Sequence, residues 1–312
     1  MSSAVNPDLL LNLKEFGIKD AATCFNCGNC TAGCSLSTES TPFPRKTIRY
    51  LQLGLSDKLM QSPEPWMCYY CGDCSETCPR QANPGEVMMG LRRYLTSRYD
   101  WTGISRLFYT SKIFEVLSIL VVAALVGLGF YLFHGPMLTD RVALNVFAPN
   151  TTIEILDLIL LVVLSIFLLS NAFRMSKAVM KDAGVFAADN GDTQGIRAGR
   201  PAILIFGIPL QTYLREAKEF VLQFFTQKRF DSCGTSSQRT QWIVHLLIMT
   251  GYSIVFLLVV LGIRWFQRDE IYALWHPVRL LGYYATFAIL YGVTYAIMGR
   301  LQKSKSVYEH TH

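Results

Sequence analysis

The sequence predicts an all-α protein in two parts: a small helical domain wrapped around two cysteine runs, then a transmembrane helix bundle with at least four spans. Three observations predict this. Eight of the nine cysteines fall in two short runs with one spacing. Long apolar segments begin only near Ile113. In the N-terminal domain no stretch alternates polar and apolar residues as a half-buried strand does.

The composition sets the class. Of 312 residues, 51% are hydrophobic and only 17% charged, which is too apolar for a soluble protein of this length. The net charge of +6 suits either nucleic acid or an anionic membrane. The basic residues gather beside the apolar runs and no nucleic-acid motif is present, so membrane lipid is the expected partner and nucleic acid is not.

The cysteine runs are CFNCGNCTAGC, from Cys24 to Cys34, and CYYCGDCSETCP, from Cys68 to Pro79. Both read C-x2-C-x2-C-x3-C. A [4Fe–4S] cluster needs four thiolates around a compact cube, and one tight loop supplies three of them at two-residue gaps. In two-cluster ferredoxins the fourth comes from the other run. On that pattern Cys24, Cys27, Cys30 and Cys78 hold one cluster, and Cys68, Cys71, Cys74 and Cys34 hold the other. Spacing alone leaves crossed and uncrossed ligation both open. Structural zinc sites would place their C-x2-C pairs at longer gaps. Gly28 and Gly72 are read as relieving crowding where the loops wrap the clusters. Pro79 follows the last cysteine as in the ferredoxin pattern, whereas Ser35 stands there in the first run. Cys233 is left over and is read as a structural or tolerated thiol.

The first domain, 1–110, is expected to be helical. Pro7 to Phe16 reads as a short helix. Pro44 to Met60 reads as one helix with Ile48, Leu51, Leu55 and Leu59 on a common face. Asn83-Pro84 opens another, with Val87, Met88, Leu91, Tyr94 and Leu95 on its apolar side. The first 23 residues lack a basic segment followed by an apolar one, so no secretory signal is read there. This domain is therefore expected on the cytoplasmic side, where thiols stay reduced and metal ligation is favoured over disulfides.

The second domain, 111–312, holds segments near 113–134, 153–173, 242–265 and 278–299, each long enough for a bilayer that needs about 20 apolar residues. Arg92, Arg93, Arg98, Arg106 and Lys112 precede the first. Only Arg141 lies in the 135–152 loop, while the 174–241 connection is rich in Arg and Lys, and Arg300, Lys303 and Lys305 follow the fourth. Both ends and the long connection are expected on the cytoplasmic face of the inner membrane. Arg264 and Arg268 run against this rule. Within the connection, DNGDTQG (189–195) reads as a flexible polar stretch. After it, Leu210, Tyr213, Leu214, Ala217, Val221, Phe224 and Phe225 share one face of an amphipathic helix. That helix packs on its own protein, lies in the membrane interface or docks a partner.

The five histidines sort by this topology into an inner set (His245, His310, His312) and an outer set (His134, His276). Haem b in a membrane bundle is held by imidazoles from neighbouring helices, so these are its candidate ligands, one or two haems in all. Interfacial histidines with no ligand are the plain alternative for His134 and His276. Asp157, one turn inside the second span, is read either as a proton exchanger at a quinone or as a snorkelling carboxylate. Tyr284, Tyr291 and Tyr295 share a face of the fourth span and are read as packing.

With these features in place, residues 20–100 resemble the C subunit of heterodisulfide reductase. TPFPRKTIRYLQLGLSDKLM between the runs and PRQANPGEVMMGLRRYL after the second carry the likeness. The apolar half resembles that enzyme's membrane cytochrome b partner, which is related to the nitrate reductase gamma subunit. The fusion of both, in this order, resembles the C subunit of the quinone-interacting membrane-bound oxidoreductase, whose members carry more than four spans. The resemblance implies a helical ferredoxin fold with two [4Fe–4S] clusters, two haems b and a quinone site, the quinone being of menaquinone type among the candidates. It also implies soluble flavin and iron–sulfur subunits docked on the cytoplasmic face. The expected role is a membrane-anchored electron-transfer subunit of a respiratory complex, not a complete enzyme. A haem-free membrane anchor for a ferredoxin module and a heterodisulfide reductase component are the alternatives. A transporter reads poorly, since the spans show no paired broken helices.

Overall fold

The computed structural model of the chain describes residues 5–141, 143–182, 204–205, 208–228, 236–269 and 271–303. His310, His312, Cys233 and the DNGDTQG stretch lie outside the described residues. The fold is all-α, with one antiparallel pair of two-residue strands, β1 (Leu204–Ile205) and β2 (Ile208–Pro209), among the described residues. The chain forms two compact units.

The first unit begins with α1 (Leu9–Asn12), which tightens into a 3-10 turn over Leu13–Phe16. Two four-residue helices, α2 (Asn29–Ala32) and α6 (Asp73–Glu76), lie within the cysteine runs. Between them run α3 (Arg45–Gln52), α4 (Ser56–Gln61) and α5 (Glu64–Met67). The longest element of this stretch is α7 (Pro84–Tyr99), and α8 (Ile104–Thr110) completes it. Leu9, Leu13, Ile18, Ile48, Leu51, Leu59, Met88, Leu91 and Leu95 are all but inaccessible and form its core. Burial of that many aliphatic side chains, at about 2 kcal/mol each, is what opposes the chain entropy of so many short helices. The unit also takes in the described residues between 171 and 238, and Arg174 Nε donates to the Tyr99 carbonyl at 2.7 Å while Met175 and Ala178 pack on the core.

α7 starts where Asn83-Pro84 foretells. Asn83 is left-handed (φ 43°), its Oδ1 accepts from the Glu86 N–H at 3.4 Å, and Pro84 fills the first helical position where no N–H is needed. The helix expected over Pro44–Met60 is two helices. It breaks at Gly54, which has φ +70° and whose carbonyl accepts from the Asn6 N–H at 2.9 Å. A Cβ at Gly54 would overlap the Asn6 carbonyl oxygen, so only glycine lets the N-terminal segment close over α3. The break turns α4 so that Leu59 is buried while Leu55 is only half-buried.

The second unit holds α9 (Lys112–Phe133), α10 (Leu144–Phe147), most of α11 (Asn150–Asp182), α13 (Ser236–Val260), α14 (Ile263–Phe266) and α15 (Pro277–Leu301). The intervening α12 (Leu210–Thr226) belongs to the first unit. Among the described residues four helices are long and apolar enough to cross a membrane: Lys112–Phe133, Asn150–Met180, Arg239–Val260 and Pro277–Leu301. The third stops at Val260, short of the expected 265, because the chain turns at Leu261-Gly262 and restarts as α14. Their leucines, valines and isoleucines stand largely exposed on the isolated chain, which water would penalise and lipid would not. α13 and α15 approach closely through small residues. Ala285 and Ala288 are buried, a Cβ on Gly292 would overlap Ile248, and Thr250 and Tyr284 share a hydroxyl hydrogen bond of 2.8 Å.

The loops after α9 and α13 are tied together. Gln267 Nε2 donates to the Ala148 carbonyl at 2.6 Å, and Asn150 Nδ2 donates to the Gln267 carbonyl at 3.2 Å. Arg264 grips Glu154 with two bonds of 2.6 and 2.8 Å. That pairing cancels the charge of one of the two arginines that run against the expected topology.

The apolar face expected on α12 is present, and Leu214, Val221 and Phe225 on it are exposed. A Gly54→Ala variant is expected to lose about 2 to 4 kcal/mol of stability. Urea unfolding of the purified protein, followed by near-ultraviolet circular dichroism, measures it.

Candidate metal centre

The two cysteine runs fold as twins. Cys24 and Cys68 are extended at the ends of short turns, with ψ 121° and 128°. Asn26 and Tyr70 then take left-handed conformations, φ 61° and 57°. Gly28 and Gly72 follow at φ 99° and 96°, a region closed to side chains, and their carbonyls accept the first N–H bonds of α2 and α6. The spacing is thus a loop that folds back on itself, with Cys30 buried, Cys24 half-buried and Cys27 exposed in the first run. α2 lies against α6, so the last thiol of each run sits beside the other run.

The electrostatic neighbours of the two most enclosed thiols bring this out. Burial pushes the Cys30 thiol up from its ordinary value, and Cys24, Cys27 and Cys78 add to the shift. Burial likewise pushes Cys74 well up, followed by Cys68 and Cys71 and then by Cys30 and Cys34. Thiolates gathered this closely repel one another, and bound iron is the cation that makes the gathering favourable. Among the described residues no three thiols, imidazoles or carboxylates converge as they would on a single ion. A cubane instead spreads its four ligands over separate corners. A cavity of about 410 Å³ is lined by Cys34, Cys68, Cys71 and Cys74 together with Phe43 and Met88. Backbone amides of Tyr70 and Ala82 donate to the Cys68 and Cys78 sulfurs, each at 3.4 Å. The donor set, the apolar walls and the N–H···S bonds fit a [4Fe–4S] cluster.

Sequence reasoning passed over the side chains that hold these loops. Gln52, at the end of α3, donates through Nε2 to the carbonyls of Ala21 (3.1 Å) and Cys24 (2.7 Å), and its Oε1 accepts from Asn26 Nδ2 at 2.8 Å. Ser75 joins the second loop to α7: its hydroxyl donates to Asn83 Oδ1 at 2.6 Å and accepts from the Gly85 N–H at 3.0 Å. Glu86 is buried, accepts from the Tyr70 hydroxyl at 2.7 Å and pairs with Arg93 at 3.3 Å. Glu64 is buried too. Burial would raise its carboxyl, but the bonds from Lys46 and Ser62 hold it below the usual range. Arg92 clamps the residues that lead into Cys68. Burial lowers its guanidinium, with the neighbouring Cys68 thiolate pulling the other way. The one signal available in sequence is periodic: Arg92 and Arg93 interrupt an otherwise apolar stretch of α7.

The histidines of the second unit are placed as follows. His134 ends α9, where its Nδ1 donates to the Gly135 carbonyl at 2.7 Å and its ring stacks on Phe147. Since a carbonyl only accepts, the neutral ring keeps its Nε2 lone pair for a ligand. His276 caps the start of α15, stacks on Tyr272 with ring centres 3.9 Å apart, and has a buried Nδ1 without a hydrogen-bond partner. His245 lies in α13 beside Val244, which is buried, while its own side chain is exposed. Its expected partners, His310 and His312, fall outside the described residues. Asp157 is half-buried, and its Oδ2 has no partner among the described residues.

Comparison with known proteins defines the class first. Residues 16–79 match the family described as a 4Fe-4S dicluster domain. The chain is then similar to a protein of Archaeoglobus profundus described as like the C subunit of heterodisulfide reductase, 39% identical over 88 residues that make up 28% of this chain and 47% of that one. It is also similar to the iron-sulfur C subunit of the CoB--CoM heterodisulfide reductase of Methanopyrus kandleri, at 37% over 84 residues, 24% of this chain and 44% of that one. The C subunit of the H(2):CoB-CoM heterodisulfide,ferredoxin reductase of Methanothermobacter marburgensis matches at 38% over 77 residues, 24% of this chain and 41% of that one. The chain thus spans less than half the length of these relatives. No solved structure matches. The N-terminal region is an iron–sulfur electron-transfer domain related to the C subunits of heterodisulfide reductases.

Gln52→Ala is expected to leave two loop carbonyls and Asn26 without their partner, at about 1 to 3 kcal/mol. Iron analysis with electron paramagnetic resonance should show the first cluster depleted and the second kept. Equal loss of both would contradict the local role given to Gln52.

Proposed function

We propose that the chain is a membrane-anchored electron-transfer subunit linking the quinone pool to a soluble flavin and iron–sulfur partner on the cytoplasmic face. The observation that carries it is the junction in one chain of a dicluster iron–sulfur domain with four helices long and apolar enough to span a membrane. When bound, the two [4Fe–4S] clusters and haem b supply one-electron transfer, and quinone supplies the two-electron, two-proton exchange.

The chain's own residues do the rest. Cys24, Cys27, Cys30 and Cys78 form one ligand set, and Cys68, Cys71, Cys74 and Cys34 the other. The neighbours of Cys30 and Cys74 support this crossed assignment. Gly28 and Gly72 shape the loops, and Gln52 and Ser75 brace them. In the second unit, the free Nε2 of His134 and the unpaired Nδ1 of His276 support haem b ligation at the outer end. His245, with His310 or His312, would serve the inner end. Asp157 holds an unpaired carboxylate oxygen in α11, suited to exchanging a proton with quinone. The arginine and lysine distribution supports the cytoplasmic placement of the cluster domain, and the Arg264–Glu154 pair removes part of the opposing charge.

A second reading is favoured by the comparisons. The relatives are named as subunits of heterodisulfide reductase complexes, so the partner would be such an enzyme's other chains. A haem-free anchor for the cluster domain is the remaining alternative.

A dithionite-reduced minus oxidised visible spectrum, with a pyridine haemochrome assay, separates these readings. Haem b bands are expected, and His245→Ala should lower haem content while leaving iron–sulfur absorbance intact. Clusters without haem in the wild type would reduce the membrane unit to an anchor. Haem unchanged in the variant would remove His245 from the ligand set.

A further inference from the structure

The enclosed carboxylates of the first unit have cationic partners: Glu64 has Lys46 at 2.7 Å, and Glu86 has Arg93 at 3.3 Å. Arg92 differs. Its Nε donates to the Pro65 carbonyl at 2.6 Å, its Nη2 donates to the carbonyls of Trp66 (3.1 Å) and Cys68, and its Nη1 lies 4.0 Å from the Met89 sulfur. Every one of these acceptors is neutral. Among the described residues no carboxylate pairs with it. A half-buried guanidinium satisfied only by carbonyls still lacks a counter-ion, and the water it has lost makes a nearby anion favourable. The ionisable group whose charge it meets is Cys68.

We infer that the anion Arg92 faces is the cluster held by Cys68, Cys71, Cys74 and Cys34, and that this half-buried cation sets that cluster's reduction potential above the potential the same ligands would give alone. The inference rests on the two-cluster reading above. One-electron reduction makes the cluster more negative and neither forms nor breaks a bond, so a fixed positive charge stabilises the reduced form more than the oxidised one. The three carbonyl bonds explain why arginine stands here. Its planar fork is held in one orientation by the chain that leads into Cys68, which a lysine could not match. On the other ligand set's side Arg45, Lys46 and Arg49 line a cavity with Cys24, but Lys46 is neutralised by Glu64, and Arg45 and Arg49 are exposed, so water screens their charge. The two clusters thereby differ in electrostatic setting, though their loops are twins. That difference gives the pair a direction, with the Arg92 side the more readily reduced.

The plain alternative is that Arg92 is only a clamp for residues 65–68. Potentials separate the two roles. Full-length protein in detergent would be titrated with dithionite through redox mediators, and each cluster followed by electron paramagnetic resonance. In Arg92→Gln, one cluster's midpoint should fall by about tenfold in its reduction equilibrium, about 59 mV for a one-electron couple, with the other unmoved. Met89→Glu leaves the clamp in place and sets a carboxylate beside the guanidinium, so it should lower the same midpoint. It also decides the matter if Arg92→Gln fails to fold. Wild-type potentials in Met89→Glu, or in a folded Arg92→Gln, would overturn the inference and leave Arg92 a clamp. Mössbauer spectra of the wild type test the underlying reading separately. Absence of two [4Fe–4S] centres there would overturn the cluster assignment itself and the inference with it.

Discussion

The N-terminal domain depends on the docking of α2 against α6. Each helix is a single turn and has no stability of its own, since an isolated turn fixes several dihedrals for one hydrogen bond. What holds the pair is the backbone path around the cysteines. Asn26 and Tyr70 enter left-handed conformations, Gly28 and Gly72 continue them, and both loops reverse by the same route. Each loop's last thiol is thereby carried to the edge of the other loop. With the runs placed face to face, the proposed crossed ligand sets take three thiols from one run and the fourth from the other.

The rest of the domain serves that docking. α3 brings Gln52 to the back of the first loop, and the start of α7 brings Asn83 to Ser75 behind the second. The aliphatic core formed by α1, α3, α4 and α7 fixes these helices, and Cys24, Cys34 and Cys68 pack on its edge. Polar clamps and apolar packing therefore do different jobs: packing sets where the helices lie, and carbonyl-directed bonds from Gln52 and Arg92 set the loop geometry. Two loops of the same shape then acquire different surroundings. One is open, with Cys27 exposed, and the other is walled by Phe43 and Met88 and lies beside a half-buried cation. In the second unit a different solvent rules. Its apolar side chains face outward, small residues let α13 and α15 touch, and its few polar groups gather where loops meet at the helix ends.

Much of this was legible in the residues. The cysteine spacing pointed to the two clusters, and the apolar runs pointed to four spans because both signals are local and each has few competing explanations. Asn83-Pro84 announced α7 through capping chemistry. The break at Gly54 was hidden, since Ile48, Leu51, Leu55 and Leu59 keep helical spacing straight through it. The cause is long-range, a contact with Asn6 that no window around Gly54 contains. The third span ended early for a comparable reason, at a turn within an apolar run. Gln52 was silent and Arg92 marked only by its break in an apolar stretch, because a glutamine or arginine on a helix reads as solvated surface until the chain it bonds is known. The histidines announced candidate ligands, but their partners depend on how helices rotate, which spacing does not encode.

The crossing of the ligand sets is the central claim, and one substitution tests it most directly. Cys34→Ser removes the last thiol of the first run. Electron paramagnetic resonance of the reduced variant, compared with Cys24→Ser and Cys71→Ser, assigns the cluster that suffers. The account predicts that Cys34→Ser perturbs the same signal as Cys71→Ser and spares the one lost in Cys24→Ser. Loss of the Cys24 signal in Cys34→Ser would show that each run holds its own cluster, and would contradict the account.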